Sequence, residues 1–549
     1  MINLQHPTPQ FRRERILLLD GEWQAEEQTI RVPYPPQSAA SGWKGPVPES
    51  IRYQVRFSLP EGFLREGERL LLHFGAVDQI AYVFVNGRPA VMHEGGYLPF
   101  DADVTEIIRT GDNELMVEAV DSLSHDFPWG KQSLRPHGMW YTPVSGIWQS
   151  VWLEAAPEKR IRKIRVTPDL TGIDMHVDAD FSEVQVSVML PTDEIRQYTI
   201  RANKTERIDI PKLRLWSPDD PFLYEMTIEA GDDRVESYFA LRTVSFGPDA
   251  GGVQRLLLNG RPVFLRALLD QGYFPEGIFA APSPQAYADD AAMLKNLGFN
   301  CNRKHIKIEP EAFYTACDMA GVLVLQDMVN SGGYNYLFDT ALPNCGFQFR
   351  PDWLPGSKQR RAFFEKHCRD TLAHLWNHPC VIGYTIFNEG WGQYHTNRMY
   401  DMLKAIDPSR FYDSCSGWFR GYRSDVDSRH VYFRNRKLKP GKLPMLLSEC
   451  GGYIRAIEGH MMQAGKKYGY GEENSEQALT ESIAKMIREM VLPAIPAGLC
   501  GYVFTQLTDV ETEINGLYTY DRQVCKVNAE ELRALNRDCA EALARALNP

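Results

Sequence analysis

The chain has 549 residues, 44% apolar and 24% charged, an ordinary globular composition too long for one hydrophobic core, so about three domains are expected. A formal charge of −11 opposes phosphate backbones and anionic lipid surfaces, which removes nucleic acid and membranes from the expected partners. Its ten cysteines all lie between Cys301 and Cys539 with no Cys-x-x-Cys pair, a pattern of free thiols and not of a disulfide framework or zinc site.

In chain order, the residues up to 157 are strand-like. Ile51 to Leu59 alternates apolar and polar with the period of a half-buried strand. Leu70–Phe74, Ile80–Val85, Leu115–Val120 and Ile147–Leu153 do the same. Asn86-Gly87 after the third of these predicts a two-residue hairpin. The expectation is an antiparallel sandwich over 1–157. Residues 158–247 carry further short strands (Ile164–Pro168, Val184–Met189, Leu223–Ile228) between Asp and Pro clusters, as a small immunoglobulin-like sandwich would. Over 248–549 short apolar runs alternate with amphipathic helices such as Pro284–Leu297 and Ala362–Trp376. The runs are Val263–Leu269, Phe299–Arg303, Val322–Gln326, Val381–Phe387, Phe411–Ser414, His430–Phe433, Met445–Ser448 and Gly501–Gln506. Eight such units make a (β/α)8 barrel, although pattern alone also accommodates seven or nine. The N-terminus has no basic-then-apolar leader and no apolar run is long enough to span a bilayer, so a cytoplasmic location is expected.

In a barrel of this kind the active site gathers at the C-terminal ends of the strands. Those ends carry Asp270, Arg303 to His305, Asp327, Asn388-Glu389, Asp413, Tyr432, Glu449 and the polar run Gln506 to Glu513. Acids at the mouths of apolar strands are costly to desolvate unless paired or used. Glu389 and Glu449 each follow an apolar run, on strands four and seven. Two carboxylates facing each other across a barrel mouth have the equipment to cleave a glycosidic bond, one protonating the leaving oxygen while the other attacks the anomeric carbon.

Several motifs in order extend this. They are Gly95-Gly96-Tyr97-Leu98-Pro99-Phe100-Asp101, Tyr141-Thr142-Pro143-Val144-Ser145-Gly146-Ile147-Trp148, Leu215-Trp216-Ser217-Pro218, Leu258-Asn259-Gly260-Arg261-Pro262, Gly298-Phe299-Asn300 with Arg303, Phe387-Asn388-Glu389, Ser448-Glu449 and Gly516-Leu517-Tyr518-Thr519. In that order they resemble glycoside hydrolase family 2, the family of β-galactosidases, β-glucuronidases and β-mannosidases, over almost the whole chain. The resemblance implies a jelly-roll domain, an immunoglobulin-like domain and a catalytic barrel. It also implies Glu389 as acid/base, Glu449 as nucleophile and Asn388 on the sugar 2-hydroxyl. Arg303 would keep the nucleophile ionised, Tyr432 would hydrogen-bond it, and Asp270 would contact a distal hydroxyl. Each has a purely structural alternative: Arg303 paired with Asp270, Tyr432 in the core, His305 packed instead of touching substrate, Trp391 a loop anchor instead of a sugar-stacking wall.

The departures bear on the sugar. Where family β-glucuronidases carry an Asn-x-Lys grip for the sugar carboxylate, this chain reads Glu513-Ile514-Asn515. A carboxylate there repels a uronate, so a neutral β-glycoside is expected, galactoside first, followed by α-L-arabinopyranoside, β-mannoside or β-glucoside. Gln506, Asp509 and Glu511 are the candidate hydroxyl-binding residues of the final strand. No ligand cluster like the magnesium site of the large β-galactosidases is evident, so no metal and no cofactor are expected. The resemblance further implies a carbohydrate or glycoconjugate substrate and homo-oligomers formed through the β-domains. A different class, a non-catalytic carbohydrate-binding protein on the same scaffold, predicts loss of one of the two glutamates.

Overall fold

The structure is a computed structural model. It describes residues 2–347, 356–419, 421–432, 434–463 and 465–548, so Phe433, at the end of one expected strand, lies outside the described residues.

The first domain is a β-sandwich. One sheet orders Ile16–Leu18, Val151–Pro157, Glu68–Phe74 and Phe100–Asp103. The other orders Gln28–Val32, Gly21–Ala25, Ser50–Ser58, Asp112–Val120, Ile80–Val85 and Arg88–Glu94. Inward residues such as Trp23, Tyr53, Leu72, Val83 and Val117 alternate with exposed ones and fill the space between the sheets. Asn86 and Gly87 both adopt positive φ (52° and 75°) between the paired residues Val85 and Arg88, as a tight primed turn requires. The expected single strand over Ile147–Leu153 is instead two. Gly146–Ile147 pairs with Val77–Asp78, and a new strand starts at Val151. Between them Trp148 turns inward and its indole N–H donates to Gly96 O (2.8 Å).

The second sandwich packs Ile161–Pro168, Gly172–Ala179 and Thr205–Asp209 against Ile195–Arg201, Glu183–Met189, Tyr224–Ala230 and Asp233–Phe239. It is tied to the barrel by hydrogen bonds from buried groups. The Trp216 indole donates to Asp318 O, the Tyr238 hydroxyl to the Asp318 carboxylate, and the Arg242 guanidinium to Pro379 O and Val381 O.

After a three-stranded connection over Val244–Pro262, eight parallel strands form a nearly closed barrel. They are β1 (Leu265–Asp270), β2 (Cys301–Lys304), β3 (Leu323–Asp327), β4 (Val381–Asn388), β5 (Phe411–Ser416), β6 (Asp427–Val431), β7 (Met445–Gly451) and β8 (Leu499–Thr505). The sheet runs β5-β4-β3-β2-β1-β8-β7-β6, and the described residues show no ladder between β5 and β6. Every residue of β3, β4, β5, β7 and β8 is buried, because the interior covers one face and helices cover the other. Those helices include α1 (Pro284–Asn296), α2 (Glu311–Ala320), α3 (Lys358–Leu375) and α4 (Thr396–Ile406). The expected sixth strand over His430–Phe433 is displaced. β6 ends at Val431, so Tyr432 stands just beyond it.

A fourth apolar cluster lies between the first sandwich and the barrel mouth. Tyr97, Trp129, Trp140, Tyr141 and Trp148 from the sandwich meet Tyr273, Phe279, Trp391 and Tyr520 from the barrel loops. This cluster seats the sandwich loop of residues 121–145 against the strand ends.

Candidate active site

Arg303 is the organising group. On β2 the side chains alternate, so Arg303 points into the barrel while Lys304 points outward onto Phe313 of α2. The Arg303 guanidinium donates to both oxygens of Asp327 (3.0 Å each), to Ser448 O (2.8 Å), to Glu449 Oε1 (3.0 Å) and to Asn388 Oδ1 (2.9 Å). Five donors in a fixed fork thus register β3, β4 and β7 against one another. A buried cation so heavily paired is held ionised; burial works against it, and Asp327 and Glu449 outweigh burial.

Glu389 is the first residue after β4 and adopts a positive φ of 49°, a strained conformation for a side chain of its size. Its N–H donates to Ser416 O, and its Oε1 lies 2.8 Å from His430 Nδ1. Glu449 stands within β7. Its Oε1 accepts from Arg303, and its Oε2 accepts a short hydrogen bond from the Tyr432 hydroxyl. His430 lies between the two acids, with its Nε2 3.5 Å from Glu449 Oε1. Oxygens of Glu389 and Glu449 and the nitrogen of His430 all fall within 4.8 Å of one another.

The two carboxyls are pushed in opposite directions. Burial raises Glu389 above the ordinary carboxylate range, and contact with His430 only partly opposes it. Burial alone would raise Glu449 as well, but His430, Arg303, the Tyr432 hydrogen bond and Lys131 outweigh it and hold Glu449 below its ordinary range. One carboxyl raised beside one lowered is the ordering that acid-assisted nucleophilic displacement needs. The donor set of Glu389, His430 and Glu449 would also suit a divalent cation by type, but the Arg303 guanidinium already occupies Glu449 and opposes a second positive charge there.

Other expected residues distribute as follows. Asn388 accepts from Arg303 and from the Ser416 hydroxyl, which fixes its amide beside the pair. His305 lies with Nε2 3.6 Å from Asp327 and 3.8 Å from Glu449, and burial drives it well below its ordinary value. Trp391 is 2% exposed and stacks on Trp140 at 5.3 Å, so it is walled in by the sandwich loop. Gln506 donates to Asn515 Oδ1 (2.7 Å), and Asn515 in turn donates to Glu513 Oε1 (2.9 Å).

Three expected residues are not brought to the pair. Asp270 pairs in register with Lys304 on the outward face and accepts from the Lys304 ammonium (2.7 Å), Asn302 and Gly272 N–H. Arg303 therefore has no contact with it, and its carboxylate is consumed beneath the helices. Asp509 folds back to accept from Lys526 and Gly516 N–H, and Glu511 accepts from Thr142 N–H of the sandwich. Both fasten their loop, a role that a linear run of acids does not distinguish from sugar binding.

Two residues escape a strand-end reading, His430 and Lys131, and a third, Glu513, has a partner that reading does not supply. His430 sits two positions before Tyr432, so the period-two alternation already puts both on one face. Glu513, expected to repel uronates, accepts a short hydrogen bond from the Tyr141 hydroxyl of the sandwich. Lys131 comes from the sandwich loop, where no periodicity points to it, and is only 6% exposed.

Comparison with known proteins agrees with this architecture. Residues 16–157 match the model described as glycosyl hydrolases family 2, sugar binding domain. Residues 159–242 match glycosyl hydrolases family 2, and 255–433 match glycosyl hydrolases family 2, TIM barrel domain. A β-galactosidase of Thermoanaerobacter pseudethanolicus is 25% identical over 391 residues, covering 65% of this chain and 47% of that protein. A putative β-glucuronidase of Formosa agariphila is 27% identical, covering 65% and 46%. The chain thus spans about half the length, or less, of these curated relatives. Among solved structures, a β-D-glucuronidase of Dictyoglomus thermophilum superposes with a TM-score of 0.75 at 18% identity, covering 95% of this chain and 97% of that one. A β-galacturonidase of Eisenbergiella tayi bound to galacturonate superposes at 0.70 and 20% identity, covering 98% and 99%. At these identities the likeness is one of fold.

Proposed function

The chain belongs to glycoside hydrolase family 2, and from that premise we propose that it is a retaining exo-β-glycosidase with Glu389 as acid/base and Glu449 as nucleophile. The observation that carries this reading is the pair itself: two buried carboxyls with oxygens within 4.8 Å, one raised above its ordinary value and the other held below it. Retaining enzymes hold their carboxyls about 5–5.5 Å apart, whereas inverting enzymes leave about 6.5–9.5 Å for a water between them.

In the first step a Glu449 oxygen forms a bond to the anomeric carbon as the glycosidic C–O bond breaks, and the Glu389 proton passes to the leaving oxygen. In the second, water attacks the same carbon, its proton returns to Glu389, and the Glu449–carbon bond breaks. In this reading Arg303 and Tyr432, both bonded to Glu449, aim the attacking carboxylate, and Asn388, anchored by Arg303, contacts the 2-hydroxyl more tightly in the transition state.

For the sugar, we favour a neutral β-hexoside, galactoside first, with α-L-arabinopyranoside, β-mannoside and β-glucoside as the alternatives. Glu513 beside the site supports this choice, since a second carboxylate there opposes a uronate. Retention of both acids in hydrogen-bonded positions speaks against a binding protein without turnover. A panel of nitrophenyl β-glycosides ranks the sugars. Glu449→Ala is expected to lose at least about 10^4-fold in kcat, and azide is expected to rescue it as a glycosyl azide of inverted configuration. Hydrolysis left intact by Glu449→Ala would overturn the assignment.

A further inference from the structure

Lys131 is the unusual group of the site. It comes from the sandwich loop, its side chain is buried, and among the described residues its ammonium has neither an ion pair nor a hydrogen-bond partner. It lies 5.7 Å from the Tyr141 ring centroid and 5.8 Å from that of Trp391. Glu513, Glu449 and Glu389, in that order, are the carboxyls that act on it electrostatically. Burial nevertheless outweighs them and disfavours its charge. Beyond those two ring faces, no protein acceptor among the described residues receives the three donors of that ammonium.

Glu513 faces it without pairing to it. Tyr141 and Asn515 each donate to one Glu513 oxygen, which fixes the carboxylate and leaves each oxygen a second lone pair. A fixed acceptor and a donor without a protein acceptor therefore lie on either side of Tyr141, whose hydroxyl binds the one and whose ring lies under the other. A sugar hydroxyl both donates and accepts, so such a pair suits hydroxyls of a glycone. The balance of charge favours a neutral one. Arg303 is spent on Asp327 and Glu449, and Lys131 is offset by Glu513, so neither of these cations is left over for a carboxylated sugar.

We propose that Lys131 is a glycone-specificity residue supplied by the jelly-roll domain. Its ammonium donates to a hydroxyl of a neutral sugar that Glu513 grips from the opposite side. This deepens the glycosidase reading and rests on it.

The test is a cycle between residue and hydroxyl. Wild type and Lys131→Met are compared on the aryl β-glycoside that is turned over fastest and on its 3-, 4- and 6-deoxy analogues, with thermal melts to show that the variant is folded. On the parent sugar kcat/KM is expected to fall about 10- to 100-fold, the scale of a lost charged hydrogen bond. On one deoxy analogue the fall shrinks to under about 3-fold, because the hydroxyl is already gone; Glu513→Gln, which keeps the shape, repeats the pattern. Equal losses on every analogue, with a displaced pH profile, would show that Lys131 acts only through the carboxyls and would overturn the proposal. Faster turnover of aryl β-uronides by wild type, abolished in Lys131→Met, would overturn it too by making Lys131 a carboxylate grip. The same cycle is read calorimetrically with the free sugar and its deoxy forms. Binding without any turnover would sink the glycosidase reading while still deciding this one, and the absence of any binding or turnover would sink both.

Discussion

His430 touches Glu389 and approaches Glu449, and its contacts lower both acids. Removing it therefore has a signed consequence. In His430→Asn both carboxyls titrate higher. With the roles proposed for Glu449 and Glu389, the acidic limb of the kcat/KM profile, reporting Glu449, moves up in pH, and the basic limb, reporting Glu389, moves up with it. A profile that narrows or moves down would show that His430 does not couple the pair. Arg303 differs in kind: its fork binds three strands at once, so its loss disrupts geometry as well as charge.

At the scale of elements, the turn after β4 carries Glu389 and Trp391, each followed by a glycine. Gly392 has φ +65°, and a Cβ there would lie 1.9 Å from Ser331 O, a backbone atom with nowhere to go. Gly392→Ala is expected to lose about 2–4 kcal/mol of stability, from a strained backbone and an overpacked contact together. Urea unfolding measures it, and a loss under about 1 kcal/mol would mean that the turn relaxes freely. Helix ends follow local rules more directly. Ser357 caps α3 by accepting from Arg360 N–H, and Gly321 ends α2 in the left-handed conformation.

Across the whole molecule, buried polar ties hold the sandwiches and the barrel in register. Arg13 is 5% exposed and pairs with Glu154 of the first sandwich (2.6 Å) and Asp233 of the second (2.8 Å). Arg13→Met would leave two buried carboxylates unpaired at a domain junction. The expected cost is about 3–5 kcal/mol in thermal or urea unfolding, with kcat of the folded fraction near wild type because the pair lies elsewhere. A stability unchanged by this substitution would show that the junction takes up water and is not dry. The aromatic cluster of Trp129, Trp140 and Trp391 has the same integrating role at the barrel mouth, where it carries Lys131 into the site.

Much of this was legible along the chain. Period-two alternation marks the sandwich strands, Asn86-Gly87 marks its hairpin, and continuous apolar runs mark buried barrel strands, because each reports which face of a local element is hidden. Glu389 and Glu449 were legible for a related reason: an acid directly after such a run has to be at the mouth. Direction across the barrel was not. Asp270 and Arg303 end neighbouring strands, yet one points under the helices and the other into the site, a choice made by register between strands far apart in sequence. Asp509 and Glu511, expected as hydroxyl ligands, are turned by the fold toward Lys526 and Thr142, partners no linear pattern names. Lys131 belongs to a loop with no period of its own, and only the docking of one domain on another places its charge beside the two glutamates. Local patterns determine elements and their ends. Which charges meet is decided by packing, because burial and pairing energies exist only once distant segments are in contact.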